Sequence, residues 1–113
     1  MDIIINGIRI EVTDHIRKRI TDGLNAVAAG REAFKITSAR VTFAMEHEEF
    51  QVDILLNMKN HDVTCKARER DLYKAIDSAM DKLEIQVQKI TGKVRERRDN
   101  LPAREIAGEE TGE

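Results

Sequence analysis

Five basic residues, Lys74, Lys82, Lys89, Lys93 and Arg97, recur at spacings that keep them on one side of an α-helix. With Lys74 as the zero of the helical wheel, the other four fall at about 80°, 60°, 100° and 140°. The acids Asp77, Asp81 and Glu84 gather on the opposite flank, at about 280° to 340°. Opposite charges three or four residues apart support a helix, whereas a stripe of one sign repels itself unless an anion neutralises it. The basic stripe is therefore a candidate phosphate-binding surface. Lys66 and Arg68 share the outward parity of the preceding strand pattern and extend the candidate set, with Arg70 just before the helix.

Other chemistry finds little support. His15, His47 and His61 have no spacing suited to a metal or a catalytic base. Cys65 alternates with Val63 and Ala67 on the inward parity, where a thiol serves as a small core residue rather than a nucleophile. Glu46, Glu48 and Glu49 fit a solvated hairpin tip better than a cation site. Neither GxGxxG nor GxxxxGKS occurs. The expectation is a binding protein and not an enzyme, with no cofactor, no metal and no small-molecule substrate. Stacking of unpaired bases is disfavoured as well, because the aromatics are only Phe34, Phe43, Phe50 and Tyr73, and Phe43 and Phe50 have inward parity. Contact with the backbone of folded RNA remains.

The elements that must hold this stripe follow from hydrophobic period. Ile3 and Ile5, then Ile8, Ile10 and Val12, alternate as in a strand. Asn6-Gly7 interrupts them, either as a hairpin or as the end of one strand before an extended link. Thr13 caps a helix to about Ala29, with Ile16, Ile20, Leu24 and Val27 on its apolar face and Gly30 as its stop. Val41, Phe43 and Met45 form a second strand, Phe50 to Met58 a third, and Val63 to Ala67 a fourth. Asp71 caps a long helix whose core face is Leu72, Ile76, Met80, Leu83, Val87, Ile90 and Val94. A right-handed crossover makes the first two strands parallel. The expected class is α+β, in the order β-α-β-β-β-α, with both helices on one face of a four-stranded sheet. The last three strands and final helix follow the order of double-stranded RNA-binding domains.

A length of 113 residues, 41% of them hydrophobic, suits one folded domain. The net charge of -2 argues against nucleic acid only while it is averaged over the chain. Up to Arg98 there are 18 bases against 16 acids, a balance of +2; from Asp99 onward Arg104 stands against five acids, a balance of -4. The expected division is a folded domain over 1–98 and an acidic disordered tail over 99–113. One cysteine and an N-terminus without a basic segment and apolar run point to the cytoplasm and away from membranes.

The run from Ala67 to Glu84, with Asp71-Leu72-Tyr73, Ala75-Ile76-Asp77 and Asp81-Lys82-Leu83-Glu84 ahead of a basic helix end, carries a further signal. It resembles the signature of the short ribosome hibernation-promoting factors and ribosome-associated inhibitor A proteins, the ribosomal subunit interface or sigma-54 modulation family. Ile5-Asn6-Gly7 and Glu11-Val12-Thr13 before Ile16-Arg17 are similar too. The resemblance covers about residues 1 to 98. It implies a protein that binds the small ribosomal subunit and its 16S ribosomal RNA at the decoding centre. It also implies that messenger and transfer RNA sites are blocked in starved or stationary bacteria. Arg17, Arg68, Lys82, Gln86 and Lys89 match polar or basic positions that face ribosomal RNA in the family, while Tyr73, Asp77 and Leu83 match packing or capping positions. Ile85 stands where relatives often carry Arg, and Thr91-Gly92 interrupts a stretch usually rich in Lys. The chain is expected to be a monomer when free. The alternative is a regulatory adaptor, a modulator of transcription, that binds protein through the sheet or the tail.

Overall fold

Residues 1–92 are described by a computed structural model; the expectations placed on Lys93, Val94, Arg97 and the segment 99–113 lie outside the described residues. The order is β1 (Asp2–Ile8), α1 (Asp14–Ala28), a 3₁₀ turn (Glu32–Phe34), β2 (Ile36–Glu46), β3 (Glu49–Met58), β4 (His61–Glu69) and α2 (Leu72–Thr91). The strands lie side by side as β1-β2-β3-β4, with β1 parallel to β2 and the other pairs antiparallel. The expected β-α-β-β-β-α class is the observed one.

Asn6-Gly7 forms no turn. Both residues lie inside β1, opposite Thr42 and Phe43. The sequence signal for a hairpin gives way because Gly7 is needed for close approach: a Cβ there would collide with the Ile10 carbonyl and press on the Phe43 ring. The chain bends just beyond, where Arg9 takes a left-handed φ of 62°. Ile8 consequently points outward, 53% exposed, while Ile10 and Val12 pack against the core as partly buried residues.

Thr13 caps α1 by accepting the Ile16 N–H on its Oγ1 at 3.2 Å, and Asp71 caps α2 by accepting from Tyr73 and Lys74. α2 ends at Thr91, where Gly92 adopts a left-handed φ of 70° and returns its N–H to the Gln88 carbonyl. Ile16, Ile20, Leu24 and Val27 of α1 and Ala75, Ile76, Ala79, Leu83 and Val87 of α2 are buried against one sheet face. That face presents Ile5, Ala39, Val41, Phe43, Val52, Ile54, Leu56, Val63 and Ala67. Burying each large side chain here contributes roughly 1.5–3 kcal/mol. Gly23 lets the helices approach, since a Cβ there would stand only 3.0 Å from the Met80 sulfur. Met45 has core parity yet is 55% exposed, because it sits at the β2 to β3 hairpin end, paired with Phe50. That hairpin turns on His47 and Glu48, both at left-handed φ (52° and 67°), the φ pair of a type I′ connection.

Candidate nucleic-acid interface

The charges of α2 divide according to what lies beside each flank. On the α1 side, Asp77 accepts a forked pair of hydrogen bonds from Arg19, Nε at 3.2 Å and Nη2 at 2.6 Å. Arg19 also lies over the Tyr73 ring at 5.2 Å, and His15 Nδ1 is 3.1 Å from the Tyr73 hydroxyl. The Arg19 guanidinium is held more strongly protonated than usual, chiefly by its hydrogen bonds to Asp77. One end of the helix pair is thus stapled at the surface.

The other end is locked inside. Glu84 is buried and receives Arg31 Nη1 and Nη2 on its two oxygens at 2.9 and 2.8 Å. The same Nη1 donates to the Val27 carbonyl at 2.8 Å, one of the carbonyls that the end of α1 leaves without a helical partner. A bidentate guanidinium–carboxylate pair of this kind is the geometry that holds a buried charge. Sequence reasoning placed Glu84 with solvated acids and overlooked both Arg19 and Arg31. Arg31 stands only four residues beyond Val27, yet its carboxylate partner is 53 residues away, a separation that periodicity does not bridge.

The opposite flank is open. Lys74, Lys82, Ile85, Gln86 and Lys89 are all exposed on the side of α2 away from α1, and α2 lies over β3 and β4. Among the described residues no carboxylate lies within ion-pair distance of Lys74, Lys82 or Lys89. Lys82 Nζ donates instead to the backbone carbonyl of Lys66 at 3.0 Å, which puts it at the rim between the helix and the β4 edge. Ile85, 54% exposed, sits among these lysines.

The remaining candidates do not join this stripe. Lys66 and Arg68 pair across the strands with Asp53 and Gln51 on the open face of the sheet, opposite the helices. Lys66 lines a shallow concavity of about 450 Å³ there with Arg40, Thr42, Asp53, Leu55 and Thr64. Arg68 is engaged by Glu46 at 2.6 Å and by the Gln51 side chain at 3.1 Å. Arg17 is exposed on α1, about 160° around that helix from His15 and Arg19, the residues that face α2. The whole helix layer separates it from the lysines of α2. Arg40, unmarked by sequence reasoning, is exposed at the centre of the open sheet face.

Cys65 is half-buried beneath α2 and its thiol lies 3.4 Å from the Ala79 carbonyl. Burial pushes its pKa up to about 11, with Lys82 opposing the shift, so the thiol stays protonated near neutral pH. No group of three His, Cys, Asp or Glu fit to hold a metal occurs among the described residues. No helix among them is long and apolar enough to cross a membrane.

The family described as Sigma 54 modulation protein / S30EA ribosomal protein matches residues 3–95. The chain belongs to this family. Within it, the chain is similar to a protein of Pseudomonas putida named ribosome hibernation promoting factor, 32% identical over 89 residues, covering 79% of this chain and 85% of the relative. A protein of the same name from Azotobacter vinelandii is 30% identical over 79% of this chain and 81% of its own length. Among solved structures, a ribosomal subunit interface protein from Coxiella burnetii shares the fold, with a TM-score of 0.75 and 24% identity, over 82% of this chain and all of that one. The N-terminal domain of Protein Y from Thermus thermophilus superposes with a TM-score of 0.73 at 27% identity, over 80% and 99% of the two chains.

Proposed function

We propose that this chain is a ribosome hibernation factor that binds the small ribosomal subunit through 16S ribosomal RNA at the decoding centre. There it blocks the messenger and transfer RNA sites under stress or in stationary phase. Binding is non-catalytic and needs no cofactor. The ribosome-binding unit is residues 1–98, the acidic tail is 99–113, and the free protein is a cytoplasmic monomer. The names of the relatives support the ribosome as partner, and the supporting observation on the molecule itself is the open basic flank of α2. Lys74, Lys82 and Lys89 lack carboxylate partners among the described residues, while Asp77 and Glu84 of the same helix are engaged by Arg19 and Arg31. Lys93 and Arg97 continue the stripe in sequence. Gln86 lies on the same flank as a neutral donor. Arg17, Lys66 and Arg68 form peripheral contacts from other faces, so that more than one wall of an RNA channel is touched.

Co-sedimentation with purified small subunits tests this directly. The chain should pellet with them, and with about four phosphates neutralised its affinity should fall roughly a hundredfold between about 50 and 200 mM salt. Salt-independent pelleting would overturn the phosphate contacts. A second reading, a protein-binding adaptor, draws on the open sheet face, where Ile4 and Ile8 are exposed, Ile4 opposite Arg40 and Ile8 opposite Ala44. An adaptor would stay in the light fractions of a gradient.

A further inference from the structure

We propose that the β1 edge is a self-pairing surface: two copies of this chain join antiparallel through residues 4–8, with Asn6 on the two-fold axis. This goes beyond the ribosome reading and does not rest on it. Among the described residues β1 pairs only with β2, so one side of its backbone is left without a strand. Edge main-chain groups of this kind accept a further strand. The chain beyond Ile8 turns under the sheet, since the Ile10 carbonyl lies on the inward side of Gly7.

The side-chain pattern decides the occupant. Ile4, Asn6 and Ile8 share the open face of the sheet, and the two isoleucines are 47% and 53% exposed. In a two-fold antiparallel pair the axis passes through one residue opposed to itself, and this fixes every other pairing. With the axis on Asn6, Ile4 faces the second copy's Ile8 and Ile8 faces its Ile4, so both exposed isoleucines are covered. The two Asn6 amides meet at the axis, where each can donate to the other. An axis on Ile5 sets Ile4 against Asn6 and Ile8 against Asp2; an axis on Gly7 sets Ile8 against Asn6.

Charge complementarity selects the same arrangement. Residues 3–8 carry no ionisable side chain, and the charges that flank them are Asp2 and Arg9. Neither makes an ion pair among the described residues. Antiparallel pairing on Asn6 opposes Ile3 to the second copy's Arg9 and so brings Asp2 beside that Arg9, at both ends of the contact. Parallel pairing brings Asp2 beside Asp2 and Arg9 beside Arg9, which repel. α2 lies over β3 and β4, away from this edge, so each copy keeps its lysine flank exposed. Four isoleucine side chains and one short ladder make a small contact. The dimer therefore has a dissociation constant of about 0.1–1 mM, and the dilute chain is the monomer proposed above.

Sedimentation equilibrium of the full chain from about 0.02 to about 2 mM tests the association. The average mass should rise toward that of a dimer and stop there. Ile4→Lys or Ile8→Lys should weaken association about tenfold or more, while thermal unfolding of dilute samples stays unchanged because both side chains are exposed. Register is read by oxidative cross-linking in a Cys65→Ser background. Asn6→Cys sets two thiols at the axis with Cβ atoms about 4.5–5.5 Å apart, whereas the two copies of Ile4→Cys lie about 14 Å apart. Asn6→Cys should therefore form a covalent dimer about tenfold faster or more. A chain that stays monomeric throughout overturns the proposal, as does a dimer that both lysine variants leave intact, since that dimer uses another face. Ile4→Cys bridging as fast as Asn6→Cys overturns the register. Should a lysine variant fail to fold, the two cross-linking rates still decide.

Discussion

Along the flank of α2 that faces α1, charge is neutralised at short range. Glu84 takes both arms of Arg31 out of water, and Asp77 takes both arms of Arg19 at the surface. Along the flank over β4, Lys74, Lys82 and Lys89 face solvent, and the one hydrogen bond made there by Lys82 goes to a neutral carbonyl. The first flank uses charge to fix where α2 sits; the second leaves charge available. One helix can do both because its apolar face separates the two flanks and decides which elements each can touch. An ion stripe seen on a helical wheel therefore says little until the neighbours of each flank are known.

The sharpest way to break this comparison is at Glu84. Glu84→Ala leaves the buried Arg31 guanidinium without its carboxylate, and unfolding in urea should show a loss of roughly 3–5 kcal/mol. Replacing both partners, Arg31→Met with Glu84→Leu, should recover most of it. A loss below about 1 kcal/mol in the single variant would show that the pair does not position α2.

The open flank should respond in the reverse sense. Lys82→Glu with Lys89→Glu should lower small-subunit affinity at least a hundredfold while unfolding stability stays within about 0.5 kcal/mol of the parent. Stability falling in step with binding would mean that these lysines are structural after all. Smaller again is Asp77→Ala, which removes a half-exposed pair with Arg19 and should cost about 0.2–1 kcal/mol in the same unfolding experiment. An effect as large as that of Glu84→Ala would erase the distinction between the surface staple and the internal lock.

Cys65 supplies the mildest probe, because it touches α2 from the β4 side. Burial raises its folded pKa to about 11, above the ordinary thiol range, so the unfolded chain releases the thiol proton first as pH rises. Stability should be insensitive to this group below about pH 9 and decline from there toward pH 11. Cys65→Ser should flatten that decline in a pH series of thermal unfolding.

Much of the fold was legible because hydrophobic period and caps are local signals. Thr13, Asp71 and the alternation in β2 to β4 sit within a few residues of the structure they specify. Asn6-Gly7 stayed open between a hairpin and a strand end for the opposite reason: the requirement at Gly7 comes from Ile10 and Phe43, one of them 36 positions away. Of the site, the α2 lysines were legible from spacing on a single helix. The separation of Arg17, Lys66 and Arg68 from them was not, since it depends on which side of α1 meets α2 and on Arg68 finding Glu46 across a hairpin. Arg31 and Glu84 were invisible as a pair because buried ions are specified by packing between elements, not by position along one.

The hydrogen bond from Lys82 to the Lys66 carbonyl also bears on how copies of this molecule avoid joining. β4 is an edge strand, and such edges offer unpaired main-chain groups to strands of other molecules. An ammonium parked on that carbonyl occupies one of those groups and sets a positive charge on the rim. Among the described residues the opposite edge has no such guard: β1 contains no lysine or proline and exposes Ile4 and Ile8. At high concentration, β1 is accordingly the edge from which sheet-to-sheet growth would begin.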